Sequence, residues 1–100
     1  MTQSRIAVPD QPVADLCRRY QVQRLALFGS VLRDDFRFDS DVDILVDFDP
    51  AAQVGFVALA RLQRELAELL GRPVDLVPRS GLKPVIRDQV QASAEEIYAA

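Results

Sequence analysis

Between residues 41 and 48 the chain reads DVDILVDF, and this alternation constrains its folding more than any other stretch. At a period of two, Val42, Ile44, Val46 and Phe48 share one face of a strand, while Asp41, Asp43, Leu45 and Asp47 share the other. One face is built for a core and the other gathers carboxylates. Asp is poorly suited to strands, and like charges on one face repel, so the arrangement costs stability unless something cationic occupies that face.

The flanking segments supply the rest of a layered domain. RLALF is apolar on both sides, as in a central strand covered on both faces, and it ends at Gly29-Ser30. Ahead of it, PDQPVADLCRRY places Val13, Leu16, Cys17 and Tyr20 at helical spacing, with Asp10 or Gln11 near the cap and Pro12 in the first turn. SVLRDDF reads as a short helix or turn and FDS as a loop. Residues 53 to 70 form the clearest helix, its core face carrying Phe56, Leu59, Leu62, Leu66, Leu69 and Leu70, with Arg61–Glu65 and Arg64–Glu68 as surface pairs and Gly71 as its C-cap. PVDLV is a further strand and PRSGLKP a loop. The remainder reads as a last helix through Val85, Ile86, Val90, Ile97 and Tyr98. The order predicts an α/β or α+β fold with a small mixed sheet and helices packed on it, as one domain over residues 1–100, with the strand order left open.

Composition narrows the chemistry. The 100 residues contain no histidine and one cysteine, which removes Ser-His and Cys-His catalysis, His-ligated metals and an internal disulfide. Cys17 reads as a small core residue. A net charge of −3 disfavours a general nucleic-acid binder, which needs a basic face. With neither a membrane-length apolar run nor a signal-peptide core, the expected location is cytoplasmic.

Two features together suggest a site. Asp41 and Asp43 lie about 7 Å apart along one strand face, and Asp75, in the middle of the later strand, is positioned for alternation to bring it beside them. Carboxylates in this pattern suit magnesium, a hard cation commonly shared between one or two protein carboxylates and substrate phosphates. Gly29 at the end of a strand, followed by Ser30, lets backbone N–H groups and a hydroxyl approach a phosphate, and Arg33 adds a charged donor.

Gly-Ser, ten residues, then DVD followed by ILV resembles the signature of the DNA polymerase beta-like nucleotidyltransferase superfamily, and VDLV resembles its third-carboxylate strand. In length and over nearly the whole chain, including the tail LKPVIRDQVQASAEEIYA, the sequence is most similar to the minimal nucleotidyltransferase (MNT) antitoxins. The resemblance implies that Gly29 and Ser30 hold ATP, with Arg33 fitting the loop pattern. It further implies that Asp41 and Asp43 bind Mg²⁺ and that Asp75 completes the metal site or activates the acceptor. The partner implied is a HEPN-domain ribonuclease toxin, neutralised by transfer of AMP to a tyrosine. Where many members carry glycine after the loop arginine, this chain has Asp34, followed by Asp35. That departure keeps two other readings open: an antitoxin that acts by binding alone, and the nucleotidyltransferase subunit of a small-molecule modifying enzyme.

Overall fold

The computed structural model describes residues 8–29 and 41–100, apart from the side chains of Ser80, Ile86, Arg87 and Gln91. The expected turn over SVLRDDF, and with it Ser30, Arg33, Asp34 and Asp35, lies outside the described residues, as does the FDS loop. In chain order the elements are α1 (Asp10–Arg19), β1 (Val22–Phe28), β2 (Val42–Phe48), α2 (Phe56–Leu70), β3 (Val74–Pro78), a 3-10 turn (Arg79–Gly81), α3 (Pro84–Ser93) and β4 (Glu95–Ala99). The strands form a mixed sheet in the order β3-β2-β1-β4, with β2 and β3 parallel and the other neighbours antiparallel.

The alternation in β2 divides the interior as its sequence requires. Val42, Ile44 and Val46 enter the principal core with Leu25 and Leu27 of β1, Leu76 of β3, Val13, Leu16 and Cys17 of α1, and Leu62 and Leu66 of α2. Fully burying a side chain such as Leu62 or Leu66 contributes roughly 1.5–3 kcal/mol. The opposite face has its own small cluster, in which Ala26, Leu45 and Leu82 pack with Phe28, Val77, Val90 and Ala94. β1 is therefore covered on both sides, as RLALF predicts. Gly71 ends α2 in the left-handed conformation at φ 71°, where a glycine costs least.

Three expectations need correction. The last helix stops at Ser93, and Glu95–Ala99 form an edge strand on β1. Ala94 is already extended, and a bulge in the β1–β4 ladder leaves Ile97 between the paired residues Glu96 and Tyr98. Ile97 and Tyr98 consequently both reach the principal core, so adjacent apolar residues that read as helical are accommodated in a strand. At the other end of α3, Val85 is 82% exposed. Helix α2 begins three residues later than predicted, after Gly55, and Phe56, its first residue, is 89% exposed. Helix α1 starts at Asp10 after Pro9 as its N-cap, which places Asp10 beside the cap as expected. Finally, Glu65 accepts a hydrogen bond from Tyr20 Oη at 2.5 Å and pairs with Arg19 at 3.7 Å, tying α2 to α1 rather than serving the predicted pair with Arg61.

Candidate active site

Packing Val42, Ile44 and Val46 beneath α1 and α2 leaves Asp43, Leu45 and Asp47 on the opposite face of β2. The 3-10 turn and α3 cover only part of that face, through the contacts of Leu82 and Val90 with Leu45. Asp47 lies toward the covered end and pairs with Arg79 at 3.8 Å, a partner the sequence did not suggest. Asp43 lies toward the other end and is half-buried.

Asp75 joins Asp43 there. The parallel register pairs Val42 with Val74 and Asp43 with Asp75, so both carboxylates project from one face of neighbouring strands, whose backbones are about 4.8 Å apart. Asp75 is exposed, while the following residue, Leu76, is buried in the principal core. Asp41 stands immediately before β2 rather than inside it and is exposed. The backbone N–H of Val42 donates to the Pro73 carbonyl at 2.9 Å, anchoring this end of β2 to the approach of β3.

Gly29 closes the site on the β1 side. Its backbone is left-handed at φ 76°, and Asp43 Oδ2 occupies the space that a Cβ at this position would need, with Asp43 Cγ 3.3 Å from that point. The carboxylate thus rests on bare backbone at the end of β1, directly before Ser30. Of the predicted phosphate contacts only Gly29 lies among the described residues. Lys83, at the start of α3, is exposed.

The donor set fits magnesium in kind. It consists of hard carboxylate oxygens, two of them on adjacent strands, the number of protein carboxylates usual when substrate phosphates complete the coordination. Among the described residues no group of three Asp, Glu, His or Cys side chains is already drawn together as a metal site, so Asp41 does not converge with the Asp43–Asp75 pair. Among the same residues no helix is long and apolar enough to cross a membrane.

The family model of the nucleotidyltransferase domain matches residues 11–97. Protein adenylyltransferase MntA of Thermococcus cleftensis is 41% identical over 76 residues, which is 76% of this chain and 75% of that protein. Among solved structures, a toxin–antitoxin structure with AMP-PNP shares the fold at a TM-score of 0.72 and 26% identity, over 93% of this chain and 75% of that one. Another, a tri-AMPylated HEPN toxin of Shewanella oneidensis in complex with its MNT antitoxin, gives 0.61 and 27%, over 86% and 66%. The matched region contains β1, β2, β3 and the first part of β4, with Asp43, Asp75 and the strand-end glycine, and the chain belongs to the nucleotidyltransferase domain family as a minimal nucleotidyltransferase of polymerase beta-like fold.

Proposed function

We propose that this protein is the antitoxin of a toxin–antitoxin pair, and that it silences a cognate HEPN-domain ribonuclease toxin by transferring AMP from ATP to a tyrosine hydroxyl of the toxin. One observation carries the reading: Asp43 and Asp75 stand in register on one sheet face, with Asp43 seated against Gly29. The likeness to a protein adenylyltransferase, to an AMP-PNP complex and to an AMPylated HEPN toxin with its antitoxin supports the donor and the partner.

In this reading the backbone after β1, together with the Ser30 hydroxyl and Arg33, binds the β- and γ-phosphates and directs the α-phosphate toward the acidic face. Asp43 and Asp75 would hold Mg²⁺, with Asp41, exposed just before β2, as the further ligand that the family resemblance implies; the ion when bound supplies neutralisation of the charge on the α-phosphate and on the leaving group. Asp75, exposed where Asp43 is half-buried, faces the incoming acceptor and takes the tyrosine proton. The tyrosine oxygen then bonds to the α-phosphorus, the bond from that phosphorus to the bridging oxygen breaks, and pyrophosphate departs with the electron pair. With no histidine in the chain, a carboxylate is the natural base.

The test is incubation with Mg²⁺, α-labelled ATP and the cognate toxin, alongside the Asp41→Asn, Asp43→Asn double variant. Label on the toxin with wild type alone is the expected result. A tight complex without label would replace this reading with neutralisation by binding, which would also act only at stoichiometric ratios. Label on a small molecule would instead indicate the modifying-enzyme subunit.

A further inference from the structure

We propose that Gln63 is a positioning residue for the metal site, acting through the backbone of β3. The inference rests on the nucleotidyltransferase reading of Asp43 and Asp75 and adds a residue to it from the far side of the sheet. β3 is a five-residue strand at the edge of the sheet, with β2 as its neighbour. In such a strand alternate N–H groups point away from the sheet and lack a ladder partner. The N–H of Leu76, the residue directly after Asp75, donates instead to Gln63 Oε1 of α2 at 2.9 Å.

This contact acts where the site needs it. Leu76 packs its side chain under α2 with Leu62 and Leu66, and Gln63 holds its backbone to the same helix. The two attachments set the height and rotation of β3 at this residue. Because side chains alternate, fixing Leu76 inward fixes Asp75 outward, opposite Asp43. Gln63 touches neither carboxylate, yet the spacing between them depends on where it holds the strand. It also occupies an edge donor that an additional strand would otherwise use. Helical periodicity gives no hint of this role, since a glutamine beside Leu62 reads as a boundary residue.

Two variants separate the role from mere stability. Gln63→Glu keeps an acceptor oxygen at the same reach, whereas Gln63→Leu keeps the size and removes the acceptor. Amide hydrogen exchange at Leu76 reports the hydrogen bond, and broadening of the Asp43 and Asp75 amide signals by Mn²⁺ reports the metal site; neither depends on turnover. Leu76 is expected to be protected in wild type and in Gln63→Glu and to exchange freely in Gln63→Leu. Half-broadening in Gln63→Leu should need about 10-fold or more additional Mn²⁺, the usual cost of losing a support behind a metal ligand. Equal Leu76 protection in wild type and Gln63→Leu would overturn the proposal. So would lost protection with an unchanged Mn²⁺ response, or wild-type signals insensitive to Mn²⁺. If wild type transfers no AMP, the adenylyltransferase reading fails by itself, and the exchange and broadening measurements still decide the role of Gln63.

Discussion

Asp43 lays its carboxylate over the bare backbone of Gly29, across the end of the β1–β2 ladder. The contact joins the two halves of the sequence signature, the strand-end glycine and the first strand aspartate, into one surface. It also makes residue 29 unable to carry a side chain without displacing Asp43.

Gly29→Ala is therefore expected to damage the site more than the fold. The left-handed backbone at φ 76° costs an L-residue about 1–2 kcal/mol. The added methyl also pushes Asp43 away from the position it shares with Asp75. Urea denaturation should show a protein that still folds cooperatively, while AMP transfer falls by about a hundredfold.

Asp75→Asn should separate activity from stability in the opposite sense. Asp75 is exposed, and it faces another carboxylate in register, so removing its charge relieves repulsion. Thermal unfolding in the absence of divalent ions is expected to stay within about 0.5 kcal/mol of wild type or shift upward. Label transfer, measured on the same sample, should drop by about a hundredfold or more.

The cysteine is a reporter of unfolding and is not predicted to be reactive. Burial pushes the Cys17 thiol up from about 9 to about 12, with Arg18 opposing the shift only weakly. Because the folded value exceeds the unfolded one, the stability linked to this group is fully present below pH 9 and is lost as pH rises toward 12. A thiol reagent at pH 8 should label the native protein only at the rate of global opening, and a Cys17→Ala variant should lose stability less steeply above pH 9.

The Tyr20–Glu65 bond between α1 and α2 has a similar signature. Its hydrogen bond to Glu65 raises the Tyr20 pKa above 10.0, so its contribution holds below pH 10 and fades as pH climbs through the folded value. Tyr20→Phe is expected to cost about 1 kcal/mol at neutral pH, read from chemical denaturation, and to bring the stabilities of the two proteins closer above pH 10.

A comparison along α2 checks where its apolar face ends. Phe56 and Leu62 both read as core-face residues of α2, yet Phe56 is 89% exposed and Leu62 is fully buried. Phe56→Ala should leave the unfolding midpoint nearly unchanged, within about 0.5 kcal/mol. Leu62→Ala should cost about 2–5 kcal/mol.

Elements whose patterns are local can be read directly from the residues. The two faces of β2 follow from a strict period of two, and the stop after α2 follows from a glycine at the left-handed cap. The spacing from Gly29-Ser30 to Asp41 and Asp43 pointed to the family, which the domain match over residues 11–97 bears out. Only the tertiary structure decided the relationships between distant segments. Asp75 meets Asp43 because β3 pairs parallel to β2 in one register, and a sequence cannot show which of several strand orders buries the most surface. EEIYA became a strand because β1 offered an edge and a bulge let Ile97 and Tyr98 reach the same core. Phe56 was left outside the core that Leu62 and Leu66 enter, and Gln63 reached the backbone of Leu76 from α2. Periodicity determines which face of an element seeks cover, whereas packing alone determines how far that cover extends and which neighbour provides it.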